Sequence, residues 1–333
     1  MWGCLNVSKG RIAIKQVAEA AGVSAGTVSK ALNGGLEISE TTRTRVRGVA
    51  QKLGYRPMAQ ARGLARGYTG NVAVAVRSAF LPIFSSAFYS EVLAGVEAEL
   101  ERHDLSLLLT SLKRGDDLLR LASERRADGV LYIGYDVEVT FLRQLRASTP
   151  LVVIDGEAEG VSSVVSDNLA GSRAATRHLL ERGRRRLVFV TMTLLQPNFR
   201  ARHQGFLQEL REAGLEPGPT SESWGFAEVS AALGALLEDY QPDGIVCAND
   251  AVGYLVLQVL ETLKVPVPDE VAVVGYDGTA DAEHRKARLS TVMVDKRRLG
   301  AAGVQLLLEQ VARPDTPPQQ ITVPTYLEPG DTS

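Results

Sequence analysis

From residue 70 to the end of the chain, short apolar runs alternate with helical stretches, and this alternation constrains the fold more than any other feature. The runs 72–76, 130–133 and 151–154 are apolar throughout, and 105–109 is apolar but for Ser106, rather than at every second position. Strands of that kind are covered on both faces, which makes them parallel. Helical stretches near 87–101, 115–126 and 138–147 lie between them. A second series follows, with strands 187–191, 244–248 and 271–275 and helices near 169–182, 199–213, 227–238 and 250–263. Two series predict two doubly wound α/β halves facing each other. A last helical stretch, 295–311, is expected to return to the first half, so the halves are not contiguous in sequence.

The 333 residues suit roughly two sizeable domains with a small one attached. Charge marks out the small one. Residues 1–70 carry eleven Lys and Arg against three Glu, a net +8, while the remainder carries 26 basic and 36 acidic residues, a net −10. A basic head on an acidic body suggests that the head meets a polyanion. Cys4 and Cys247 are the only cysteines and cannot form a disulfide framework, which argues for a reducing compartment. No run approaches the ~18 apolar residues of a membrane span. Met1–Arg11 lacks the apolar core of a signal peptide. A cytoplasmic protein without membrane contact is expected.

Within the head, Ile14, Val17, Ala18 and Ala21 follow the i, i+3, i+4, i+7 rule of a helix that Gly22 can end. Ser24 is a good N-cap for a second helix, Ala25 to Leu32, whose buried stripe would be Val28, Ala31 and Leu32. Thr27, Ser29 and Lys30, with Asn33 just beyond, fall on its other faces. Ser39 caps a third helix carrying Val46, Val49, Ala50 and Leu53, and Gly54 stops it. Helix, glycine turn, helix is the helix-turn-helix pattern, whose second helix enters the major groove. Here that helix is small, hydroxylated and cationic, suited to phosphates and to close approach of base edges.

The stretch from Ile14 through Gly22-Val23-Ser24 to Leu32-Asn33 closely resembles the head of the lac-repressor/galactose-repressor (LacI/GalR) family of transcription regulators. Leu53-Gly54-Tyr55-Arg56-Pro57, followed by Ala61-Arg62-Gly63-Leu64, resembles that family's hinge. The resemblance runs along nearly the whole chain. It implies a head on operator DNA and a periplasmic-binding-protein-like body that binds a small effector. Ala25, Gly26 and Lys30 occupy the family's base-reading positions, and Ser24, Thr27, Ser29 and Asn33 its phosphate or base contacts. Ser39 and Thr42 match backbone contacts. Lys30 stands where Arg is common, and Ala25-Gly26 offers almost no side chain, although Ala25 can touch a thymine methyl.

Pro57 suits the first position of a short helix that Gly63 weakens, so it should form only against a partner. By the resemblance, paired hinge helices enter the minor groove and Leu64 wedges between base pairs. The expected organisation is an extension over 1–10, a helix-turn-helix domain over 11–56, hinge and linker over 57–70, and a body over 71–333. Within the body, 71–166 plus 296–320 would form the N-subdomain and 167–295 plus 321–333 the C-subdomain. Palindromic operators imply a homodimer. The family's tetramer-forming, leucine-rich tail has no counterpart in 324–333.

Ligands of open parallel sheets bind beyond the carboxyl ends of the strands. That rule selects Asp155, Asn249 and Asp277, with Asp250 read as the cap of the next helix. The resemblance adds Arg202 for effector oxygens, Trp224 as a cleft aromatic and Phe88 at the start of the first cleft helix. An aromatic surface, an Arg and several oxygens suit a sugar or sugar derivative, although a nucleobase could use much the same set. The alternatives are a solute-binding protein and a nucleotide-cofactor enzyme on the same fold. No G-x-G-x-x-G follows the first strand, no G-x-x-x-x-G-K-[ST] occurs, and His103, His178, His203 and His284 show no metal-ligand spacing. No cofactor, metal or catalytic residue is therefore expected. A transcription regulator acting as a repressor under effector control is the sequence-level conclusion.

Overall fold

The computed structural model describes residues 12–32, 37–55, 68–76, 86–111, 124, 126–134, 139–279 and 288–333. The extension over 1–10, Asn33, the hinge stretch 57–67 with Leu64, and most of the helix expected near 115–126 lie outside the described residues. Two compact units make up the chain, Met1–Gly70 and Asn71–Ser333.

The first unit holds α1 (Ile14–Ala21), α2 (Ala25–Leu32) and α3 (Glu40–Leu53). Val17, Ala18 and Ala21 of α1, Val28 and Ala31 of α2, and Val46 and Ala50 of α3 form one buried cluster. Gly22 ends α1 at φ 62° and Gly54 ends α3 at φ 68°. Both are left-handed caps that a Cβ would strain. Ser24 Oγ accepts the amide of Thr27 at 3.1 Å, which starts α2.

The second unit begins with β1 (Asn71–Val76), α4 (Ala87–Arg102), β2 (Ser106–Ser111), β3 (Gly129–Ile133), α5 (Val139–Arg146), β4 (Leu151–Ile154) and β5 (Ser162–Ser166). Then come α6 (Asn168–Glu181), β6 (Leu187–Thr191), α7 (Pro197–Glu212), β7 (Thr220–Glu222), α8 (Phe226–Asp239), β8 (Gly244–Cys247), α9 (Asp250–Leu263), β9 (Ala272–Asp277) and β10 (Ser290–Val294). The chain closes with α10 (Lys296–Ala312), β11 (Gln320–Val323) and β12 (Thr325–Glu328). One sheet runs β11-β5-β4-β3-β1-β2 and the other β12-β10-β9-β8-β6-β7. All pairings are parallel except β10 with β12.

The chain passes between the halves at β5–α6, β10–α10 and β11–β12. The last passage corrects the expected boundary at 320. All of Gln320–Val323 pairs with β5, Val323 opposite Ser166, so the first half runs on to Val323. The helix expected over 295–311 packs on the first half as α10, against α4 and β3 to β5. Where α4 and α10 cross, backbones touch: a Cβ on Gly300 would lie 2.1 Å from Val92 O, and one on Gly95 2.1 Å from Arg297 O. On the first sheet Ala73, Ala75, Val130, Tyr132 and Val153 pack under Leu142 and Leu145 of α5. On the other face Val72, Val74, Leu131 and Ile133 share a core with Val92, Val96, Leu299 and Val304.

Candidate functional site

In the second sheet β6 has β7 on one side and β8 on the other, which makes the β6/β8 boundary the topological switch point. The carboxyl ends of β6, β8 and β9 share one edge there, and Arg202 of α7 reaches across it. Its side chain is buried. Nε donates to Asn168 Oδ1 at 2.8 Å, and Nη1 donates to Ala248 O at 2.6 Å and Asp277 Oδ1 at 3.1 Å. The guanidinium lies 3.6 Å from the centroid of the Tyr276 ring, a cation–π stack. One side chain thus ties together the start of α6 and the ends of β8 and β9. Nη2 makes no hydrogen bond among the described residues.

Asp277 is buried and sits at φ 113°. Burial pushes its carboxyl upward in pKa, while Arg202 and Lys296 oppose the rise. Asp155 follows β4 of the first half at φ 57°. Its Oδ1 is buried without a hydrogen-bond partner among the described residues. Burial pushes the Asp155 carboxyl up to about 7, with Arg202 pulling it down and Asp277 pushing it further up. An acid from one half therefore lies within the electrostatic reach of an ion pair in the other.

Asn249 caps α9: its Oδ1 accepts the amide of Val252 at 2.9 Å, leaving the amide nitrogen for other partners. The cap had been expected from Asp250, and this is a correction. Asp250 lies inside the first turn, too deep to serve as cap. It accepts from Thr279 N at 2.6 Å, Thr279 Oγ1 at 3.0 Å and Thr291 Oγ1 at 2.5 Å. Trp224 is half-buried against the second half's outer core. Phe88 is buried in the core of the first half, its ring edge-on to Tyr89 at 5.2 Å. Arg202 and Asp277 are in direct contact, with Asn249 beside the carbonyl of Ala248 and Asp155 within range.

Sequence reasoning missed three residues in contact with Arg202 or Asp277, and a buried glutamine on the loop after β6. Asn168 and Tyr276 hold the guanidinium. Gln196, just before α7, is buried with both amide atoms unpartnered among the described residues. Lys296 donates to Asp277 O and Gly278 O at 2.8 and 2.9 Å.

The raised Asp155 pKa has a testable sign. The folded chain keeps a proton that the unfolded chain releases from 3.8 upward, so the contribution to stability is full below 3.8 and lost as pH rises through about 7. Asparagine fits the left-handed backbone and carries no charge. Asp155→Asn is expected to stabilise by on the order of 1–3 kcal/mol more near pH 8 than near pH 5. Urea unfolding at the two pH values checks this; equal changes at both would sink the burial account.

In the head, α2 turns Val28 and Ala31 inward and leaves Ser24, Gly26 and Lys30 exposed, with Ala25, Thr27 and Ser29 half-buried. Ser24 Oγ lies 2.9 Å from Thr27 Oγ1. Lys30 forms an ion pair with Glu37. Ser39 Oγ accepts the amide of Thr42 at 3.3 Å and donates to Thr42 Oγ1 at 3.0 Å.

The two units separately match known families. The bacterial regulatory proteins of the lacI family match residues 13–58, and the periplasmic binding protein-like domain matches residues 176–333. Over 329 residues the chain is 31% identical to the HTH-type transcriptional regulator CelR of Thermobifida fusca, covering 95% of this chain and 97% of that protein. The chain belongs to the LacI family. As such it is a DNA-binding transcription regulator controlled by a small-molecule effector. The HTH-type transcriptional repressor PurR of Aliivibrio salmonicida is 29% identical over 311 residues, 90% of this chain and 92% of that one. A solved transcriptional regulator CelR–cellobiose complex superposes with a TM-score of 0.70 at 28% identity, covering 97% of this chain and 100% of the other. The lac repressor dimer bound to operator and the anti-inducer ONPF gives a TM-score of 0.83, with coverage of 97% and 99%; at 22% identity it shows likeness of fold alone. Among the described residues no helix of this LacI-family chain is long and apolar enough to cross a membrane.

Proposed function

We propose that this chain is a cytoplasmic, homodimeric repressor whose effector is a sugar or sugar derivative, bound between the halves of the body, and that it binds without catalysis. The observation that carries the reading is the buried Arg202 at the switch point, paired with Asp277 and within electrostatic reach of Asp155 of the other half, whose Oδ1 has no hydrogen-bond partner among the described residues. Paired charges and free carboxylate oxygens of this kind bind hydroxyls in defined directions. Asn249 adds an amide, Trp224 and Phe88 are the aromatic candidates, and the CelR–cellobiose complex makes a β-linked disaccharide the first compound to try. Calorimetry of the full chain with cellobiose, monosaccharides and nucleobases tests the class. Tight binding of a nucleobase with none of any sugar would overturn it.

For the head, the reading assigns base contacts to Ala25, Gly26 and Lys30, and phosphate or backbone contacts to Ser24, Thr27, Ser29, Asn33, Ser39 and Thr42, with Leu64 as the minor-groove wedge. The net +8 of residues 1–70 supports a polyanion partner. Operator affinity should fall steeply with salt, since each neutralised phosphate releases counterions. Lys30→Ala should cost about 1–3 kcal/mol on a selected operator and much less on random DNA if Lys30 reads a base. Equal losses on both would make Lys30 a phosphate contact instead.

A further inference from the structure

The Asp277 turn is held from beneath by a buried cation of the other half. Lys296 opens α10, which packs on the first sheet, and its side chain is 3% exposed. Its ammonium donates to Asp277 O at 2.8 Å and Gly278 O at 2.9 Å, and lies 3.5 Å from Glu91 Oε1 of α4. Three donors thus face three acceptors, two from the second half and one from the first.

This is a costly place for a lysine. A cation in the first turn of a helix opposes the macrodipole, and a buried ammonium must be fully bonded to be tolerated. The turn it holds is itself unfavourable. Asp277 at φ 113° and Gly278 at φ 66° are consecutive left-handed residues whose carbonyls converge on one point. Their dipoles repel unless a cation lies between them. On the far side of the turn, Gly278 N donates to Thr291 Oγ1 at 3.3 Å and Thr279 N to Asp250 Oδ2 at 2.6 Å.

We propose that Lys296 is the positioning residue of the effector site: it fixes the Asp277–Gly278 turn from the first half, so that the aim of the Asp277 carboxylate at Arg202 depends on how the two halves stand to each other. The proposal rests on the reading of Asp277 as an effector contact. A ligand that moves Asp277 moves the carbonyls bound to Lys296, and Lys296 sits on a rigid support. The close crossing at Gly95 and Gly300 joins α10 to α4, and Glu91 of α4 holds the same ammonium. The effector-bound state of the second half is in this way felt by two helices of the first.

The test has one arm that needs no effector. Amide hydrogen exchange of the full chain is followed at Gly278 and Thr279, with Val274 and Tyr276 of β9 as internal controls. Lys296→Met removes bonds from a charged donor, so exchange at the two turn amides should accelerate about ten- to a hundredfold, with the controls unchanged. Lys296→Arg, which keeps a cation for the carbonyls, should restore much of the protection, and Glu91→Gln should keep it. If K296M also loses protection at the controls, K296Q, which can keep one carbonyl bond, decides by the same comparison. Wild-type exchange at Gly278 and Thr279 in K296M would overturn the proposal. The second arm titrates cellobiose into wild type and K296M, with at least about tenfold weaker binding expected in the variant; equal affinity would also overturn it. No binding by wild type would count against the sugar reading alone, and the exchange arm would still decide the role of Lys296.

Discussion

Arg202→Ala is expected to give the largest loss of any single substitution in the body. It leaves Asp277 buried without its partner, removes a donor from Ala248 O and Asn168, and empties the space over Tyr276. Breaking a buried ion pair from one side costs about 3–5 kcal/mol. Arg202→Lys should recover little, because a single ammonium cannot span the three acceptors that the planar guanidinium reaches. The head is a separate unit with its own core, so DNA binding should survive while the response to effector is lost. Urea unfolding and operator binding across an effector titration check the two halves of this prediction. A stable Arg202→Ala chain that still responds would contradict the assignment of the cleft.

Gly300→Ala should be the next most damaging change, for a reason unconnected with charge. Its Cβ would sit 2.1 Å from Val92 O and 2.8 Å from Val96 N, both backbone atoms that can yield only if α4 and α10 separate. Overpacking of this kind costs about 1–3 kcal/mol and at times more. Gly26→Ala is the contrasting change: the nearest atom to its Cβ would be Ser24 Oγ at 3.7 Å, an ordinary contact. The head should tolerate it, and its effect should be confined to DNA. Unfolding midpoints of the two variants compare them directly; wild-type stability of Gly300→Ala would mean that the helices are not held at this distance.

The head was legible because its periodicity, glycine stops and serine caps all agree, as Gly22, Ser24, Ser39 and Gly54 illustrate. The parallel strands were legible where they are apolar throughout. β5 was missed because Ser162-Ser163-Val164-Val165-Ser166 is more than half serine, and β7 because it is a three-residue, partly exposed edge. β11 and β12 are separated only by Pro324, so no loop announces the change of sheet. Asp155 and Asp277 followed from the strand-end rule, and Arg202 from the family likeness. The neighbours of Arg202 were not legible, since Asn168 and Tyr276 come from opposite ends of a 109-residue span joined only by topology. Lys296 had one faint signal: a lysine directly after the capping Asp295, where the helix dipole favours an acid. Asp250 was read as the cap in place of Asn249, because Asn and Asp cap helices about equally well.

The central claim is that occupancy of the cleft and docking of the heads are one equilibrium. The direct test selects a DNA target with the purified full chain, then measures operator affinity with and without saturating cellobiose, and cellobiose affinity with and without operator. The account predicts that both affinities change by the same factor, about 5- to 150-fold. Cellobiose bound in the cleft with no change in operator affinity would contradict it.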